Sequence, residues 1–471
     1  MISSIWSRGF WAPCVLSLAA CGDKPAPPLP NVIILSLDTV RADRFSCYGA
    51  PAGATPRMDA FAAKADRYAS CTSSSSWTLP SHASMFTGLF PFEHGSHGFE
   101  VDGMIDNVHP LHPDHVTFAE ELGSFGYDTA AFVANNVYLA KRYGMDQGFD
   151  TYEVHHERAA QVMSRALDHV DGVIAKGTGQ PLLLFVNVMD AHRPYAAYSD
   201  EELAALPKDQ NPNGLLEDLC KQVMNRGEAP GELGDRVSEL YSRAIHRLDG
   251  EVGAYLDALE ERGVLDNAVV IITSDHGEAF GTHGIVEHAK DVYEPLVAVP
   301  LIVRYPDQKQ GRVIEERASS VDVPGLIAKG LSGHAGGVTR VTFPRVPGTH
   351  PVVSELHFAR PRDIVLYKAQ FQHERTALRE GDMKLILGGP EVQLFDLAED
   401  PGELANIAPK RPDLVTAMTA ALDQFIVRNR YTGERLQPRA LSDAATKAMS
   451  ALGYGPGGKS KAPGDEDDGP R

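Results

Sequence analysis

The sequence predicts a doubly wound α/β fold, a mostly parallel sheet flanked by helices. At 471 residues the chain leaves room for a smaller appended unit. Three observations carry the prediction. Short, almost continuously apolar runs recur, which is how strands buried on both faces read. Helix-like stretches alternate with them, as βαβ units require. Each run closes on a polar residue at its carboxyl end, the edge where open α/β sheets collect ligands.

The first element is a targeting segment, residues 1–20. Arg8 supplies a positive charge, Phe10 to Leu18 form a short apolar core, and Leu18-Ala19-Ala20-Cys21 follows. Small residues before a cysteine resemble a bacterial lipobox, so Cys21 is the expected lipidation site and mature N-terminus. The alternative is an ordinary secretion signal cut nearby. Residues 21–30 then form a polar, Pro-rich tether, GDKPAPPLP after the cysteine. Either route exports the protein, and lipidation would hold it at the periplasmic face of a membrane or at the cell surface.

Asn31 to Leu37 is the first buried strand, closed by Asp38. Thr129 to Val133 ends near Asn135, Leu182 to Met189 ends at Asp190, and Ala268 to Thr273 runs into Ser274-Asp275-His276. Phe118 to Gly123 and Tyr241 to Arg262 are the clearest helix-like pieces between them. Asp38, Asn135, Asp190, Asp275 and His276 are therefore expected at one edge. After Pro300 to Val303 the pattern loosens, Asp322 opens another helix-like piece, and residues 352 to 408 hold strand-like runs. Residues 441–471 are poor in apolar residues and are expected to be disordered.

Composition narrows the function. The net charge of −19 argues against nucleic acid as a partner. Hydrophobic residues make up 43%, and no apolar run is long enough to span a bilayer as mature protein. Beyond Cys21 only Cys47, Cys71 and Cys220 remain, which allows one internal bridge and no disulfide framework.

Residues 77 to 88 read Trp-Thr-Leu-Pro-Ser-His-Ala-Ser-Met-Phe-Thr-Gly. The run resembles the nucleophile loop of the sulfatase branch of the alkaline-phosphatase superfamily: Cys or Ser, any residue, Pro, Ser, Arg, and a later Thr-Gly. Pro80, Ser81, Thr87 and Gly88 fall in register, which puts Thr78 where the modified cysteine sits and His82 where the arginine sits. Cys71 lacks the required proline and arginine. Further likenesses are Asn31 to Gly49, Thr273-Ser-Asp-His-Gly-Glu278, Met189-Asp-Ala-His-Arg-Pro-Tyr195, the stretch from His283 to Ile302, and Leu394 to Asn406. Together they cover roughly residues 31 to 410.

The resemblance implies a sulfatase-like catalytic domain at 31–330 and a C-terminal α+β subdomain at 331–440, a small antiparallel sheet on the main domain. It implies one divalent cation held by Asp38, Thr78, Asp275 and His276, with Thr39 standing where a second carboxylate is usual. Mixed oxygen and nitrogen ligation suits Zn or Mn better than Ca, with Mg also open. Thr78 is the implied nucleophile, and no formylglycine is expected. The residue types also allow Thr78 to cap a helix. His192 and His288 are implied acid–base groups. Asn135, or its neighbour Asn136, replaces a sulfate-clamping lysine, so anion binding leans on the metal and on Lys290, His288 or Arg193. His94, His97, His155, His156 and His283 stay outside the proposed site.

Threonine lacks the second hydroxyl by which a modified cysteine expels sulfate, so a covalent adduct must be cleared by attack at sulfur or phosphorus. The expectation is a metal-dependent sulfatase-like hydrolase of sulfate or phosphate esters, with the ester class open. The substrate is a small anionic ester or a glycan or lipid head group. Two alternatives stand beside it: a phosphodiesterase, phosphonate monoester hydrolase or head-group transferase, and an inactive sulfatase-like binding lipoprotein.

Overall fold

A computed structural model of the chain describes residues 27–98, 108–207, 210–334, 345–357, 371 and 373–436. The targeting segment, Cys21 and the tail from 441 lie outside the described residues.

The main domain is built on an eight-stranded sheet. Its order is Arg312–Ile314, Asp66–Tyr68, Leu301–Arg304, Ala268–Thr273, Asn31–Leu37, Leu182–Val188, Asp128–Val133 and Thr151–Val154. The last five run parallel to one another, and only Leu301–Arg304 runs against its neighbours. The central strands carry no polar alternation because helices cover both faces: Val32, Ile33, Ile34 and Leu35 are all fully buried. Each such side chain contributes roughly 1.5–3 kcal/mol relative to leaving it in water. Register places Ser36 beside both Asn187 and Thr273, so the carboxyl ends of three neighbouring strands finish together. That shared edge positions the site.

The predicted strands match these bounds to within a residue or two. The helix read from Tyr241 starts earlier, spanning Gly231–Glu261. The piece read from Asp322 becomes a 3-10 turn, Ser320–Asp322, and a helix, Val323–Leu331.

The C-terminal part is a four-stranded antiparallel sheet, Val352–Leu356, Arg375–Glu380, Met383–Leu387 and Gln393–Asp396, followed by the helix Pro412–Asn429. It has its own apolar core of Val353, Leu378, Leu385, Leu394, Met418 and Leu422, into which Phe90 and Phe92 of the main domain insert. Among the described residues, no helix is long and apolar enough to cross a membrane.

Candidate active site

The helix Thr78–Thr87 begins at the sheet edge and ends where Gly88 turns left-handed at φ 72°. Trp77 is the extended residue before it and Thr78 its first helical residue, with no side-chain cap bond. Thr78 therefore does not cap the helix. Its hydroxyl is buried at the N-terminal end, where backbone amides and the helix dipole favour an anion.

Asp38, Asp275 and His276 converge there, each offering one ligand atom within 4.8 Å of the others, all buried. Thr39, just past the first strand, takes φ 63°, a strained setting for a β-branched residue. The turn aims its amide at Asp275 Oδ1, 3.1 Å away, while its hydroxyl goes to the carbonyl of Asp38. His276 N also donates to Asp275 Oδ1 at 2.9 Å, leaving Oδ2 toward the cluster. Ser274 bridges the two loops, accepting from Val40 N and donating to the His276 carbonyl.

The group fits a cation. Asp38 Oδ1 and Asp275 Oδ2 are buried without a hydrogen-bond partner among the described residues. His276 Nδ1 donates to the carbonyl of Gly277 at 3.0 Å, which makes Nε2 the nitrogen with the lone pair. That Nε2 lies 3.4 Å from Asp275 Oδ2 and 3.4 Å from Thr78 Oγ1. A lone pair facing a carboxylate is repulsive unless a positive charge sits between them. Burial, with mutual repulsion at Asp38, raises both carboxyls to about 7, the cost of holding them together with no cation.

Asn135 sits between ligand and hydroxyl. Its Oδ1 accepts from the amides of Val137 and Tyr138, which turns Nδ2 toward Asp38 Oδ2 at 3.0 Å and Thr78 Oγ1 at 3.4 Å. Asn136 has a buried Oδ1 without a partner among the described residues and makes no comparable bond to the cluster. His192 and His288 lie alongside: the His288 ring is 4.6 Å from that of His276 and 5.0 Å from that of His192. Burial lowers His192 to about 3, so it enters as a neutral ring. Lys290 donates to Glu287 and to the carbonyl of His288, and Arg193 also pairs with Glu287.

One expectation changes, and the place of His82 is explained. Asp190 ends its strand as predicted, but its carboxylate accepts from Ala159 N at 2.8 Å, capping the helix Ala159–Lys176. His82 contributes no charge where the arginine would: burial drops it to about 3, and it spans Thr78 O and Ser36 Oγ beneath the nucleophile helix. Asn187 and Glu278 escaped the sequence reading. Asn187 holds the Asn135 amide through its Oδ1 at 3.1 Å. Its one signal was a polar residue inside the apolar run Leu182–Val188. Glu278 meets His288 Nδ1 at 3.1 Å.

A mostly parallel α/β sheet with a carboxylate–imidazole group and a buried hydroxyl at its carboxyl edge defines an anion-handling hydrolase. The family model described as Sulfatase matches residues 30–332, and the chain belongs to the sulfatase family of ester hydrolases. It is 22% identical to an N-acetylglucosamine-6-O-sulfatase of Bacteroides thetaiotaomicron over 87% of this chain and 89% of that one. It is 24% identical to human arylsulfatase A over 86% and 90%. In fold it is similar to the phosphonate monoester hydrolase of Agrobacterium radiobacter, with a TM-score of 0.60, 19% identity, and coverage of 87% of this chain and 100% of that one.

Proposed function

We propose that the chain is a metal-dependent hydrolase of small sulfate or phosphate-type esters, with Thr78 as its nucleophile. The observation that carries this is the Thr78 hydroxyl, buried at a helix N-terminus beside Asp38, Asp275 and His276. A divalent cation bound by Asp38, Asp275 and His276 would supply Lewis acidity and lower the pKa of the hydroxyl.

Thr78 Oγ1 attacks the sulfur or phosphorus, its proton passing to the Nε2 of His192 or His288, and forms a bond to the central atom as the bond to the ester oxygen breaks. That imidazolium gives the proton to the departing oxygen. The ring, neutral again, takes a proton from the water that attacks the covalent adduct and returns it to the Thr78 oxygen as that bond breaks. Asn135 holds Asp38 and Thr78 in place, so its role is to position them rather than to grip substrate. Lys290 and Arg193 both pair with Glu287, two positive charges against one negative, and the surplus charge in this segment is what would favour the anion at the site.

Threonine's single hydroxyl favours phosphate or phosphonate esters, since the adduct must be cleared at the central atom. Sulfatases and phosphonate monoester hydrolases share this fold alike, so that leaning rests on the threonine itself. Export and lipidation at Cys21 remain part of the proposal, with glycan or lipid head-group esters as substrates. A panel of nitrophenyl sulfate, phosphate monoester, phosphodiester and phosphonate ester tests it. Turnover of phosphate or phosphonate esters, lost in Thr78→Ala, is the expected result. Turnover of the sulfate ester alone would refute the phosphoryl preference, and no turnover of any would refute the hydrolase.

A further inference from the structure

Three imidazoles meet at the site, and what backs each one differs. His276 and His192 each set Nδ1 against a neutral backbone carbonyl, that of Gly277 and that of Arg193, both at 3.0 Å. His288 sets Nδ1 against a carboxylate, Glu278 Oε1 at 3.1 Å. Both members of that pair are buried. Glu278 also comes from the loop that carries Asp275 and His276, so one loop would hold the cation and orient the neighbouring ring.

The backbone around His288 is held in an uncommon shape. Glu287 and Ala289, on either side of it, take φ 66° and 59°, left-handed settings that non-glycine residues keep only under surrounding restraint. The restraints are present. Ala289 N donates to Ser76 O at 2.9 Å, Glu287 pairs with Arg193 and Lys290, and Asp291 pairs with Arg375 of the C-terminal sheet at 3.0 Å. A ring locked in place by its backbone still has two tautomers, and the carboxylate selects one of them.

We infer that Glu278 is a positioning residue for His288, accepting its Nδ1 proton and so fixing Nε2 as the ring nitrogen offered to the substrate. This rests on the hydrolase reading for its purpose, though the geometry stands apart from it. An imidazole anchored through Nδ1 by a carboxylate keeps one tautomer and one orientation; where the imidazole ligates a metal, losing such a partner costs about 10–100-fold, and a loss of that order is the scale expected for His288. With Nδ1–H held by the carboxylate, the unprotonated Nε2 is the atom that takes up a proton during the reaction and hands it to the departing oxygen.

The test uses the full-length, zinc-loaded chain labelled with 15N-histidine, with His288 assigned by the signals lost in His288→Gln. Wild type is expected to show a protonated Nδ1 and an unprotonated Nε2. Glu278→Ala is expected to move both toward the tautomer mixture of free imidazole. Glu278→Gln, whose amide oxygen still accepts, is expected to keep the wild-type pattern. Where the alanine variant does not fold, Glu278→Met, of similar length and without an acceptor oxygen, carries the same comparison. An unchanged tautomer in the alanine or methionine variant overturns the inference. On whichever ester wild type turns over, kcat is expected to fall by about 10–100-fold in the same variant, with metal content kept and KM changed far less. Equal loss in Glu278→Gln would also overturn it. Should wild type turn over no ester, the hydrolase reading fails alone, because the tautomer measurement still decides the role of Glu278.

Discussion

Thr78 and His276 meet across 3.4 Å because the first turn of a helix and the loop after a strand come to the same place. The chemistry proposed there depends on single atoms. Removing the Thr78 hydroxyl in Thr78→Ala is expected to lower kcat at least about a thousandfold, measured on the best ester of the panel, while bound metal stays near one per chain. Asp275→Asn separates the two functions. It keeps the Oδ1 acceptor for the Thr39 and His276 amides but loses the charge, so metal content measured by elemental analysis is expected to fall with activity. Much of this was legible in the sequence, since Asp38, Thr78, Asn135, Asp275 and His276 were all read as site residues and all come together. Asp190 misled because a polar residue at a strand end caps a helix as readily as it faces a ligand. Asn187 and Glu278 stayed hidden because their roles lie in what they touch, Asn135 and His288, which spacing along the chain does not reveal.

The elements that frame the site are joined by buried charge. Lys384 of the C-terminal sheet donates to Glu294 at 2.9 Å and pairs with Glu403 at 2.8 Å. Glu294 starts the helical turn just after the His288 segment. Lys384→Met would leave two carboxylates in the interior with Arg379 as the remaining partner of Glu294. A loss of about 3–5 kcal/mol is expected, read from the midpoint of urea unfolding, because a broken buried pair leaves an uncompensated charge.

A second element-level prediction concerns pH. Burial alone would lower His357, but the carboxylates of Glu355 and Glu374, each at 3.3 Å, raise it to about 9. The folded state therefore binds a proton that the unfolded chain releases near 6.5. Its contribution is fully present below pH 6.5 and is lost as pH rises through 9. That amounts to at most about 3 kcal/mol. His357→Gln is expected to flatten the fall in unfolding free energy between pH 7 and 9, measured by denaturant titration at fixed ionic strength. The antiparallel sheet was foreseen through resemblance, whereas these pairings were not: Lys384 and Glu294, for example, lie 90 positions apart, and nothing in the spacing marks them as partners.

At the scale of the molecule, a doubly wound sheet supplies a rigid edge, and the C-terminal unit buttresses the loop that completes it. The strand bounds were readable because both faces of the sheet are covered, which leaves unbroken apolar runs. Buried carboxylates that each leave one oxygen without a hydrogen-bond partner among the described residues would make the fold sensitive to a cation bound there. Chelation is expected to lower the melting temperature and abolish turnover, with Zn or Mn restoring both, followed by scanning calorimetry and assay on one sample. The most direct measurement is peptide mass spectrometry of the chain quenched in acid during turnover of a phosphate or phosphonate ester. The account predicts a phosphoryl or phosphonyl group on Thr78, absent without substrate. Continued turnover with Thr78 unmodified, and persisting in Thr78→Ala, would contradict it.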